Sequence, residues 1–174
     1  MKAILLAGGY GTRLGELTKD RPKPTIEIGG KTVIERIIEN LHLAGITQII
    51  VNLHYLPTVM TEKITNKALF YYEEKLLGQE GTISALQDWL QDDDFFTLNA
   101  DTITNVDYKN MILHHQPKTI SVAMQNWRAA GVWLYSKEYF TNPSLPIVPY
   151  RPDGLVFHDI GTPERLEAAK AYYE

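Results

Sequence analysis

A short apolar run at residues 3–7, Ala-Ile-Leu-Leu-Ala, stops on Gly8, Gly9 and Gly11, and Thr12, Arg13 and Lys23 follow closely. So short and apolar a run reads as a strand buried on both faces. The glycines then let the backbone turn tightly and bring its N–H groups close to a ligand, and the nearby cations favour an anionic one. Phosphate is the first expectation. The run is too short for a secretory leader, Lys2 is its only early cation, and glycines stand where an apolar helix would have to continue. The N-terminus is therefore read as the first strand of the fold.

Further along, strands and helices alternate. Thr32 precedes Val33, Ile34, Ile37, Ile38 and Leu41, an apolar stripe at helical spacing that stops at Gly45. The pattern predicts strands at 46–53, 68–72 and 95–98, with helices at 58–66 and 82–90. A helix at 108–115 and strands at 119–124 and 131–135 come next. The chain closes on a helix with Thr162 as N-cap, Pro163 at its first position and Glu164 in its first turn. Short joints between alternating elements imply an α/β fold, three-layer α/β/α, with a mostly parallel central sheet covered on both faces. No repeat or linker divides residues 1–174, which read as a single domain.

Composition narrows the function classes. Lys and Arg total 17 against 21 Asp and Glu, a net charge of -4, so no overall field favours a nucleic-acid backbone or an anionic membrane. No apolar stretch approaches the ~20 residues of a membrane helix. The absence of cysteine excludes disulfides, thiolate nucleophiles and cysteine zinc sites, and agrees with a cytoplasmic setting.

Spacing excludes two phosphate loops. A dinucleotide fingerprint counted from Gly9 and Gly11 finds Leu14 in place of its third glycine. A P-loop ending at Gly30-Lys31-Thr32 would need a glycine where Thr25 stands. The stretch "LLAGGYGTRLGELTKDRPKP" instead resembles the signature of the sugar-1-phosphate nucleotidylyltransferases, including Thr18 and the Pro22-Lys23-Pro24 element. "VNLHYLP", "EEKLLGQEGTISAL" and "LNADTI" are similar to later segments of that family, in the same order. "HDIGTPERLEAA" resembles the ending of a short bacterial branch acting on hexose, heptose or N-acetylmuramate 1-phosphates.

The resemblance implies the nucleotide-diphospho-sugar transferase (Rossmann-like) fold. It also implies transfer of a nucleoside monophosphate from a nucleoside triphosphate to a sugar 1-phosphate, with release of pyrophosphate. Leu6, Ala7, Gly8 and Gly9 would then lie under base and ribose, Gly11, Thr12 and Arg13 around the triphosphate, and Lys23 at the α-phosphate. Gly81 would approach the base. Asp101 and Asp159 would be the Mg²⁺ ligands, a hard cation needing oxygen donors. All three loop glycines are expected to serve close approach to the nucleotide, with Tyr10 pointing outward. His54 and His158 are expected to be packed or solvent-facing, Trp89 to be core, and His114 and His115 to contribute only a contact with a helix dipole.

Two departures stand out. "SVAMQNWRAAGVWLY" passes almost directly between strands, so the hairpin that carries a sugar-side lysine in the family is shortened near 125–130, and Ala129 replaces an asparagine. The acceptor half is thus reduced, as in an enzyme taking a small or unusual phosphorylated sugar or alcohol, or a homo-oligomer in which a second subunit lends groups. A nucleotide-binding regulatory or structural subunit without turnover is the alternative. Gln79 and Glu80 replace small residues near the base and leave its choice open, GTP with a mannose- or heptose-type acceptor being expected first and UTP next.

Overall fold

Ala3, Ile4 and Leu5 are fully buried between two layers, and this places the first strand, β1 (Lys2–Leu6), in the middle of the sheet. The computed structural model describes residues 1–173. After β1 come two 3₁₀ turns, Thr12–Thr18 and Lys23–Thr25, and a small hairpin of β2 (Glu27–Ile28) and β3 (Lys31–Thr32). α1 (Val33–Leu43) starts on a capping box: Thr32 Oγ1 accepts from the Glu35 N–H while the Glu35 carboxylate reaches back to Thr32. Its buried residues are Val33, Ile34, Ile37, Ile38 and Leu41, the stripe expected from the sequence.

Then follow β4 (Gln48–Leu53), α2 (Pro57–Lys63), β5 (Leu69–Tyr72), α3 (Gly78–Ala85), α4 (Gln87–Leu90), β6 (Phe95–Asn99) and β7 (Thr102–Thr104). The chain ends with α5 (Tyr108–His114), β8 (Ile120–Gln125), β9 (Arg128–Tyr135), β10 (Ile147–Tyr150), β11 (Phe157–Asp159) and α6 (Pro163–Tyr173). Among the described residues, the main sheet has seven strands in the order β10-β8-β9-β6-β1-β4-β5. Every neighbouring pair is parallel except β9, which runs antiparallel to both β6 and β8. One face packs Leu5, Val51, Phe96 and Leu134 with α1 and α6, and the other packs Ile4, Ile50 and Phe95 with Ile83 and Leu90 of the α3 and α4 layer. The three-layer α/β/α architecture is thus the one the sequence implies.

Several boundaries differ from the sequence reading. The single helix expected at 82–90 begins earlier, at Gly78, and breaks at Leu86, whose backbone leaves the helical region. β7 and β10 are additional. β7 and β11 pair antiparallel as a separate two-stranded sheet, and this pairing brings the C-terminal segment to the carboxyl rim of the main sheet. β8 and β9 are joined by Asn126 and Trp127 alone, both with positive φ (47° and 65°), the backbone of a tight two-residue turn.

Candidate active site

β1 is flanked by β4 on one side and β6 on the other, so the strand order reverses between β1 and β6. Ligands of open α/β sheets bind outside the carboxyl ends of the strands at such a point. The Ala100 N–H donates to the Leu6 carbonyl (3.1 Å) and ties the loops after β6 and β1 together. From β4, Asn52 Oδ1 accepts the N–H groups of Ala7 (2.5 Å) and Gly8 (3.1 Å), leaving an anion to the amides that follow.

Asn52 is itself fixed by Glu73, a carboxylate only 2% exposed. Glu73 accepts from Asn52 Nδ2 (3.0 Å), Thr82 Oγ1 (2.6 Å) and the Leu77 N–H (3.2 Å). Three donors therefore satisfy a buried charge, and the shape of the loop is wired through Asn52 into α3. The sequence reading missed both residues. A usable signal existed, since Asn52 is the one polar residue in the apolar run Ile49-Ile50-Val51-Asn52-Leu53.

The three loop glycines have three different reasons, which corrects the single one expected. At Gly8 a Cβ would stand 3.0 Å from Leu76 Cδ2 and 3.3 Å from Asn52 Nδ2, so a side chain there would crowd both. Gly11 is left-handed (φ 68°) and lies against Thr18. Only Gly9 faces open space, with nothing within 4 Å of an added Cβ, and it keeps the role of close approach to a ligand. Gly81 lies 2.8 Å, in the same sense, from Leu77 Cβ, so local crowding already accounts for it. Thr12 and Arg13 are exposed. Tyr10 does not simply point outward: its hydroxyl pairs with His54 Nε2 (2.7 Å), while His54 Nδ1 meets the Glu73 carbonyl (2.8 Å). Gln79 turns onto the sheet, donating to Tyr135 (2.7 Å) and Thr97 (3.2 Å).

Lys23, on its 3₁₀ turn, forms an ion pair with Asp101 Oδ2, and Thr102 Oγ1 donates to Asp101 Oδ1 (3.2 Å). Leu6, Ala7, Gly9, Lys23, Asn99 and Asp101 line a cavity of about 190 Å³. Asp159 arrives from the other end of the chain. It sits opposite Thr102 in the β7–β11 pair, and the neighbouring Ile160 N–H donates to the Asp101 carbonyl (2.9 Å). The two aspartates thus stand at one rim, Asp101 in the turn just before β7 and Asp159 at the end of β11. Gly161 lets Arg13 into the same corner, because a Cβ there would lie 3.0 Å from Arg13 Nη2 and 2.9 Å from Asp159 Oδ1.

Three basic groups surround Asp159. Arg165 Nη1 lies 2.8 Å from both of its oxygens, Arg128 Nη2 3.8 Å from Oδ2, and Arg13 beside Gly161. Burial alone would raise its pKa, but the hydrogen bonds from Arg165 and Gly161 and the charges of Arg165 and Arg128 outweigh it and hold the carboxyl below its usual range. Nothing in the sequence singled out Arg128 or Arg165, since isolated charges carry no periodic signal. Among the described residues no three His, Cys, Asp or Glu side chains cluster as a metal cage. Asp101 and Asp159 are each about a quarter exposed (25% and 24%), oxygen donors of the kind Mg²⁺ takes, and in this structure they pair with Lys23 and Arg165.

Comparison with known proteins gives the same picture. The profile described as Nucleotidyl transferase matches residues 2–142. Mannose-1-phosphate guanyltransferase of Candida albicans is 37% identical over 176 residues, covering 96% of this chain and 44% of that protein. The chain therefore spans less than half the length of that relative. Among solved structures, HddC from Yersinia pseudotuberculosis complexed with GMP-PN superposes with a TM-score of 0.82 at 22% identity, over 99% of each chain. UDP-glucose pyrophosphorylase from Acinetobacter baumannii gives 0.85 at 14% identity, over 99% of this chain and 92% of its own. At such identities the superpositions speak for the fold alone; the profile match over residues 2–142 establishes that the chain belongs to the nucleotidyl transferase family.

Proposed function

We propose that this domain transfers a nucleoside monophosphate from a nucleoside triphosphate to a sugar 1-phosphate, releasing pyrophosphate and making a nucleoside-diphosphate sugar. The observation that carries this reading is the convergence of the loop after β1, the Lys23–Asp101 pair, Arg13 and Asp159 at one rim of the sheet. In such a transfer an oxygen of the sugar phosphate attacks the α-phosphorus as the bond to pyrophosphate breaks in line. No protein nucleophile is needed; placement and charge compensation do the work.

In this reading Leu6, Ala7 and Gly8 support base and ribose, and Gly9 admits the nucleotide against the backbone. Gly11 and Thr12 shape the triphosphate cradle. Arg13 faces the departing pyrophosphate with a planar fork that suits phosphate oxygens. Lys23 is held by Asp101 at the place where both substrates' phosphates would meet, so it can offset their repulsion. Asp101 and Asp159 would hold Mg²⁺, which when bound supplies further neutralisation of phosphate and leaving-group oxygens. The mannose-1-phosphate guanyltransferase relatives favour GTP and a mannose-type acceptor.

The test is pyrophosphate release from each of the four triphosphates, with Mg²⁺ and a panel of sugar 1-phosphates. GTP with mannose 1-phosphate is expected to give the highest rate. Triphosphate binding without pyrophosphate release across the panel would contradict the proposal.

A further inference from the structure

Asp159 is one negative charge paired with both Arg165 and Arg128, so the corner it occupies carries an excess of positive charge. Arg128 and Arg165 also line a cavity of about 150 Å³ with Phe157, His158 and Asp159, and the Ile160 N–H, next to Asp159, donates to the Asp101 carbonyl (2.9 Å), so the cavity borders the Lys23–Asp101 corner. That volume is below the roughly 300–1,000 Å³ of a pocket for a whole ligand, and matches a headgroup better than a nucleotide.

Two independent elements deliver the cations. Arg128 is the first residue of β9, directly after the tight Asn126–Trp127 turn, and its guanidinium rests on the Phe157 ring at 5.6 Å. Arg165 stands in the first turn of α6. Arg128 is therefore held in place by an aromatic face rather than neutralised at close range, and one Arg165 nitrogen, Nη1, bridges both carboxylate oxygens, a charge-assisted contact that phosphate oxygens can also make.

We propose that Arg128 and Arg165 bind the phosphate monoester of the acceptor, supplying on the sugar side the cations that the shortened β8–β9 hairpin no longer carries. This rests on the function proposed above. In the absence of acceptor, the Asp159 carboxylate occupies Nη1 of Arg165; a phosphate dianion competes for it.

The test uses the full chain with GTP, Mg²⁺ and mannose 1-phosphate, comparing wild type with Arg128→Gln, Arg165→Gln and the double variant. Both arginines are substantially exposed, at 64% and 47%, so the thermal midpoint should stay unchanged. Loss of a charge-assisted hydrogen bond implies a rise of about tenfold or more in the mannose 1-phosphate KM per arginine, with the GTP KM unmoved. A rise in the GTP KM instead would assign both arginines to the triphosphate and overturn the proposal, as would no change in either constant. Calorimetric titration of inorganic phosphate into GTP-saturated protein separates this site from the wider reading, because it needs no turnover. Binding by wild type that the double variant loses supports the site even if no product forms; equal binding, or none by wild type, overturns it.

Discussion

Glycine positions that look alike in the sequence differ in what each demands. Gly9 has open space around an added Cβ, whereas Gly11 has φ 68° and Thr18 against it. Gly9→Ala should therefore change stability by no more than about 0.4–1 kcal/mol, in the stabilising direction if at all. Its added methyl group stands where the nucleotide is expected, so the GTP KM should rise about tenfold, equivalent to ~1.4 kcal/mol. Gly11→Ala forces a side chain into a left-handed backbone and should cost about 1–3 kcal/mol. Denaturant melts and steady-state kinetics on the two variants check this split. Arg13, Lys23 and Asp101 were legible because they stand inside a dense signature. Glu73 was not, because a buried acid looks like any surface acid until its donors are placed around it. Arg128 was hidden for the same reason, its significance depending on a strand thirty residues further along.

At the level of elements, His115 shows how a helix end becomes part of the core. The expectation of a simple dipole contact is corrected: its ring nitrogens meet Ser121 Oγ (2.7 Å) and Ser136 Oγ (3.0 Å), joining the end of α5 to β8 and the end of β9. Burial lowers its pKa, more than the charges of Asp94 and Glu138 raise it. The folded protein therefore holds His115 neutral, and the unfolded chain binds the proton more readily. That contribution to stability is complete above about pH 6.5, the ordinary histidine value, and is lost as pH falls from there through the folded pKa. Comparing denaturant midpoints of wild type and His115→Asn from pH 8 to 5 should show an extra loss in wild type below about pH 6.5. Parallel curves would contradict it.

The elements that sequence patterning located well, such as β1 and α1, are those whose apolar residues recur at the period of a strand or helix over a full element. β7 escaped because three residues are too few for any period. The start of α3 at Gly78 escaped because glycine ordinarily marks a break.

For the whole molecule, the fold's main achievement is to bring residues 6–23 and 159–165 to one corner. β1 sets the first group at the centre of the sheet, and the β7–β11 pair carries the second across to it. No helix among the described residues is long and apolar enough to cross a membrane. The overall charge is -4, yet the corner itself gathers Arg13, Lys23, Arg128 and Arg165 around two carboxylates, a local arrangement suited to substrates that are polyanions. The resemblance of both ends to a known family put the two aspartates in one site; Arg128 and Arg165, which pair with Asp159, became visible only once the strands were paired.

The most direct measurement follows the label of an α-phosphate-labelled triphosphate into sugar nucleotide, with Mg²⁺, for wild type, Asp101→Asn and Asp159→Asn. Each substitution should slow transfer by about 10²–10³-fold, the scale of losing one group that stabilises transition-state charge, with the thermal midpoint retained. Near wild-type transfer by either folded variant would show that the two carboxylates do not serve the same bound nucleotide.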